Sequence, residues 1–127
     1  MSNTLKLANL VEHLFSLHDN IKTNIFNLEQ QELTTAKPHY YKGKYLYMIH
    51  PRLSGSKRKK EYIGIDPDKQ RMALEPYQRS NQLQEARAKL SLLADLINFT
   101  ETESHRVIGL IRNRAREMKL DLPNYYS

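Results

Sequence analysis

The sequence predicts an α+β fold: a long N-terminal helix, a three-stranded antiparallel β-meander, then two C-terminal helices. Three observations predict it. Residues 4–33 hold no Gly or Pro and repeat apolar side chains at helical spacing. Residues 38–66 change to Tyr, Ile and Leu runs bounded by Gly and Pro. Residues 76–120 return to helical spacing. A chain of 127 residues suits one domain, expected here over residues 1–127.

In the first helix, Leu7, Leu10, Leu14, Leu17 and Ile21 step by three and four. Ile25 and Leu28 resume the pattern after a step that breaks a strict heptad. Val11, Phe15 and Phe26 widen the stripe beyond a narrow seam. Two arrangements satisfy it: a homodimer through Leu7, Leu10, Leu14, Leu17 and Ile21, or packing on the helix 76–99 of the same chain. Pro38 disfavours helical backbone at Lys37 and ends the element between Thr34 and Pro38.

The meander of residues 38–66 has a testable register. A two-residue turn at Lys42-Gly43 sets Tyr41 against Lys44 and Tyr40 against Tyr45. Pairing Tyr47 with Tyr62 then sets Tyr45 against Gly64, Leu46 against Ile63 and Ile49 against Lys60. One face would hold Tyr40, Tyr45, Tyr47, Tyr62, Arg58 and Lys60. The other would hold His39, Leu46, Met48, Ile63 and Ile65, and would cover the core. Pro51 to Ser56 reads as a loop, and Asp66-Pro67-Asp68 closes the sheet.

In residues 76–99, Leu83, Ala86, Leu90, Leu93 and Ile97 share one side, with Pro76 fitting a first turn. Thr100 and Glu103 resemble a capping box, with Thr102 a competing cap, that opens a third helix, 103–120. That helix carries Val107, Ile108, Ile111, Ala115 and Met118 on one side and Arg112, Arg116 and Lys119 on another. Pro123 stops it. The tail from Asn124 to Ser127 is expected to be mobile unless it docks.

Charge is segregated. Residues 37–60 carry Lys37, Lys42, Lys44, Arg52, Lys57, Arg58, Lys59 and Lys60 with no acid, against a net charge of +6 for the whole chain. A patch of one sign attracts polyanions. The candidate nucleic-acid-binding residues are Lys42, Lys44, Tyr45, Tyr47, Arg52, Lys57, Arg58, Lys59, Lys60 and Tyr62, with Ser54 and Ser56 as neutral donors. Lys and Arg would hold phosphates; Tyr rings would meet bases or sugars. Arg112, Arg116 and Lys119 form a secondary basic face. The same residues serve a blander role, an edge hairpin shielded from aggregation by Lys, with its tyrosines packed on a helix.

The order Tyr45-x-Tyr47, a Gly-containing loop, a basic run and Tyr62-Ile63-Gly64 resembles hairpins of small phage and plasmid proteins. It is also similar to the three-stranded arm-type DNA-binding domains at the N-termini of phage integrases. The resemblance covers about 28 residues of the 127. It implies a sheet that reads duplex DNA with a helix behind it, in a protein of mobile-element type. The long preceding helix and the lack of a following recombinase domain depart from that family.

The expectation is a small non-enzymatic protein that binds nucleic acid, double-stranded DNA ahead of RNA, in the cytoplasm, or in the host's cytoplasm if phage-encoded. The alternative is an inhibitor or adaptor whose basic hairpin fills an acidic groove of a nucleic-acid-processing partner. No cofactor, metal or membrane contact is expected. There is no Cys, so disulfides and Cys-ligated zinc are excluded. His13 and His18 lie five apart, on different sides of a helix, and four glycines form no phosphate loop. The start MSNTLKLANL has no basic stretch before a long apolar run, so no secretory signal is expected.

Overall fold

A computed structural model describes residues 2–52 and 57–123. Met1, the loop residues 53–56 that include Ser54, Gly55 and Ser56, and the tail from Asn124 to Ser127 lie outside the described residues. The elements are α1 (Asn3–Glu29), β1 (Lys37–Tyr41), β2 (Tyr45–Ile49), β3 (Lys60–Gly64) and α2 (Pro67–Glu117). They fall into two units. One is Met1–His18 with Ser91–Ser127, and the other is Asp19–Leu90.

The α+β class holds, but there are two helices, not three. The expected helices 76–99 and 103–120 are one helix, α2. Its true start is the segment expected to close the sheet. Asp66 is the cap: its Oδ1 accepts the Asp68 N–H at 3.0 Å, and its carbonyl accepts the Gln70 N–H at 2.9 Å. Pro67, not Pro76, occupies the first turn. Pro76 sits in the helix interior, where a missing N–H and a ring clash cost about 3 kcal/mol. It is buried there, so packing carries the helix past it. The expected capping box does not form. Thr100 Oγ1 donates back to the Ile97 carbonyl at 2.7 Å, and Glu103 pairs with Arg106 at 3.0 Å.

The helix α1 is capped by Ser2, whose Oγ accepts the Leu5 N–H at 3.2 Å. It ends at Glu29, four residues before the expected end. The following segment is drawn off by long-range bonds. Arg79 Nε donates to the Glu32 carbonyl at 3.0 Å, and the Thr34 N–H donates to Ser80 Oγ at 3.0 Å. Ser80 passes its own proton to the Pro76 carbonyl at 2.9 Å. These bonds offer the backbone partners that another helical turn would have supplied.

The antiparallel sheet has the order β1-β2-β3, as the meander requires. Its register differs from the expected one in two places. Tyr41 pairs with Tyr45 and Tyr40 with Leu46, so three residues, Lys42 to Lys44, lie between paired positions. A one-residue slip exchanges the faces of β1. It sends His39 and Tyr41 to the tyrosine face, and Pro38 and Tyr40 to the core face. The slip puts Tyr40 rather than His39 opposite buried Leu46 and leaves His39 exposed on the other face. Between β2 and β3, Tyr47 meets Tyr62 and Ile49 meets Lys60 as expected, but Leu46 meets Gly64. Ile63 is the extra residue of a bulge. Gly64 has φ +104°, a conformation that side chains resist. Gln70 closes the irregularity, giving one amide hydrogen to the Lys44 carbonyl at 3.0 Å and one to the Gly64 carbonyl at 2.8 Å.

The core of the unit Asp19–Leu90 is Ala36, Leu46 and Met48, with Ile63, Ala73, Leu74 and Tyr77 packed on it. The first turns of α2 thus cover one face of the sheet. Burying a side chain such as Leu46 contributes about 1.5–3 kcal/mol. Ile65, expected on this face, lies beyond β3 and is exposed.

Candidate functional site

The sheet face opposite the core is open. It carries Lys37, His39 and Tyr41 from β1, Tyr45, Tyr47 and Ile49 from β2, and Lys60 and Tyr62 from β3. Tyr41 is 54% exposed and Tyr62 58%. Tyr45, Tyr47 and Ile49 are half-buried, because each β2 residue is flanked by neighbours on both sides. The rings form tilted cross-strand pairs. Tyr47 and Tyr62 lie 5.0 Å apart between centroids, and Tyr41 and Tyr45 lie 6.4 Å apart. Tilted pairs at these separations are favourable on their own account. With His39 opposite Tyr47, three rings span the three strands in one row.

Cations border both ends of the row. At the β1–β2 turn, Lys42 Nζ lies 5.4 Å from the Tyr41 centroid and Lys44 Nζ 5.3 Å from the Tyr45 centroid. These cation–π contacts hold the lysines beside the rings. The turn places them there because Lys42 (φ 52°) and Gly43 (φ 73°) both adopt left-handed backbone. At the other end lie Arg52, Lys57, Arg58, Lys59 and Lys60, all exposed. The His50 N–H donates to the Lys59 carbonyl at 2.9 Å, which carries the β2–β3 ladder one step beyond Lys60. A five-residue strand separates the two ends by about 17 Å.

The one carboxylate within the strands is Glu61, and it faces away. It pairs across from Met48 on the core side and meets His50 Nε2 at 3.2 Å. No ion pair among the described residues involves Lys37, Lys42, Lys44, Lys57, Arg58, Lys59 or Lys60. The cations are not neutralised from within the described chain.

Of the expected site residues, Tyr45, Tyr47, Lys60 and Tyr62 share the open face and Lys42 and Lys44 stand beside it, whereas Arg52, Lys57, Arg58 and Lys59 lie beyond its far end, and the ladder step at His50 turns Lys59 toward the other side. Tyr40 is on the core face and Tyr41 takes its place. Arg58 lies outside β3 and is not a strand-face residue. His39 and Lys37 join the site. Their signal was the alternation 37, 39, 41 against 45, 47, 49, which only the register could reveal. The secondary face also changes. Arg112 and Arg116 lie four apart on α2, but Lys119 is past its end, at φ 59°, and does not continue their row.

Among the described residues no group of three His, Asp or Glu is placed to hold a metal. A groove of about 590 Å³ runs beside residues 33–37, lined by Tyr77, Ser80, Asn81, Gln84 and Arg87. Two of its polar groups are already engaged, Ser80 with Thr34 and Arg87 with Glu29 at 2.9 Å. No helix among the described residues is long and apolar enough to cross a membrane. No protein-family model, curated protein or solved structure matches the chain.

Proposed function

We propose that this protein is a small, non-enzymatic nucleic-acid-binding protein that grips duplex DNA with the open face of its sheet. One observation carries the reading: a face of exposed and half-buried tyrosines flanked at both ends by cations that, among the described residues, have no carboxylate partner. Three strands spaced about 4.8 Å apart make a face roughly 10 Å across, comparable with the ~12 Å major groove. Lys42 and Lys44 at one end, and Arg52, Lys57, Arg58, Lys59 and Lys60 at the other, neutralise phosphates. Tyr45, Tyr47, Tyr62, Tyr41 and His39 lie between and meet sugars and base edges. The driving force is counterion release. We assign it on this reading to the cytoplasm, or to the host's cytoplasm if it is phage-encoded.

The test is fluorescence anisotropy with labelled duplex DNA, single-stranded DNA and RNA at several salt concentrations. Duplex binding with a log–log salt slope of roughly −5, corresponding to about six phosphate contacts, is expected. Changing Lys57, Arg58, Lys59 and Lys60 to Glu abolishes it. The same number of reversals at Lys6, Lys22, Lys69 and Lys89 weakens it far less. Undiminished binding by the folded Lys57–Lys60 variant, or no binding to any nucleic acid at low salt, sinks the reading.

A further inference from the structure

The unit Met1–His18 with Ser91–Ser127 lacks a core of its own. Among its described residues one side chain is buried, Ala115. Elsewhere in the unit α2 leaves Leu92, Leu96, Phe99, Val107, Leu110 and Ile111 between 44% and 70% exposed. At about 100° per residue these six fall within an arc of roughly 120°. On α1, Leu7, Leu10 and Leu17 are also exposed, so the stripe expected to be covered is only half covered. Val11, Leu14, His18 and Ile21 are the partly buried side of that helix.

We infer that this apolar surface is a homodimer interface, filled by the same surface of a second copy. Charge favours that occupant. Residues 1–18 and 91–127 carry six cations and six anions, whereas residues 19–90 carry fourteen cations and eight anions. The whole excess positive charge thus lies outside the apolar unit. Two copies can meet there without net repulsion, and the neutral unit offers no attraction to a polyanion or to anionic headgroups. The area is sufficient. Nine large apolar side chains at about half exposure present on the order of 800 Å² per chain, the share that each partner of a standard interface contributes. Two helical pairs brought together by a two-fold axis enclose a common four-helix core, which one pair does not have. The pairing also sets two tyrosine faces on one particle, because each chain brings its own sheet.

Sedimentation equilibrium of the nuclease-treated full chain at high salt tests this across micromolar concentrations. A mass twice the chain's 15.0 kDa is expected. The double variant Leu96→Glu/Leu110→Glu, both exposed positions, should sediment as a monomer with its helical circular dichroism largely kept. Because the chain has no Cys, any disulfide formed by a single-cysteine variant joins two chains. Of Leu92→Cys, Leu96→Cys, Phe99→Cys and Leu110→Cys, at least one near the axis should cross-link under mild oxidation. Asn98→Cys and Thr102→Cys, on the other side of α2, should not. A monomer at all concentrations overturns the inference. So does cross-linking confined to Asn98 and Thr102, or a monomer that floats with phosphatidylserine vesicles.

Discussion

Among the described residues, two backbone positions outside glycine, Lys42 and Lys119, adopt left-handed conformations, one in the β1–β2 turn and one at the end of α2. Lys119 has φ 59°. Its N–H donates to the Arg116 carbonyl at 3.1 Å, and the Leu120 N–H reaches back to the Ala115 carbonyl at 2.8 Å. That is a Schellman stop for α2 with Lys where Gly is favoured. Lys119→Gly should therefore raise stability by about 0.5–1 kcal/mol, read as a higher urea midpoint. A lower midpoint would show that the lysine side chain contributes more than its backbone costs. Gln70 is the converse, an ordinary residue in a demanding place. Its amide serves carbonyls at both sides of the bulge, so Gln70→Ala should cost about 1–2 kcal/mol in thermal or urea unfolding. No change would mean that water replaces both bonds.

Elements differ in how well their ends could be read. The two helix starts follow local chemistry: Ser2 and Asp66 cap, and Pro67 occupies the first turn. The expected break at Thr100–Glu103 used the same chemistry and was wrong. A capping sequence is also a tolerable helix interior when Thr bonds to its own preceding turn and Glu pairs three residues on. Pro76 misled in the same way, because its burial offsets a local penalty that no window of sequence reveals. Thr100→Ala separates the two cases. A cap would lose about 1 kcal/mol, whereas a mid-helix Thr replaced by the better helix former should gain a few tenths. In the sheet, Leu46 is fully buried, and Leu46→Ala should cost about 3–5 kcal/mol by chemical denaturation. A loss under 1 kcal/mol would mean that the sheet does not rest on α2 in solution.

For the whole molecule, the two units carry different properties. Among the described residues, all the buried apolar side chains but Ala115 lie in the unit Asp19–Leu90, which also holds all of the net positive charge. Amide exchange should accordingly be slower in β2 and residues 70–86 than in residues 5–15 and 100–115, at concentrations below those needed for self-association. Equal protection throughout would contradict a core confined to one unit. The binding face also has separable parts. Tyr41→Ala with Tyr62→Ala should weaken duplex binding while leaving the salt slope unchanged, since neither ring displaces counterions. A changed slope would mean that the rings position the neighbouring lysines.

The sequence by itself determined the order helix, meander, helix, the acid-free basic segment and the tyrosine-rich strands. Each of these depends on residue type and local spacing, which need no distant partner. Tertiary structure decided which tyrosines share a face, because a single-residue slip in β1 exchanges Tyr40 for Tyr41 and brings in His39. It also decided that α2 runs unbroken through Pro76 and Thr100, and which half of the leucine stripe is covered. Those outcomes are set by packing energies of several kcal/mol, larger than the local propensities from which a sequence is read.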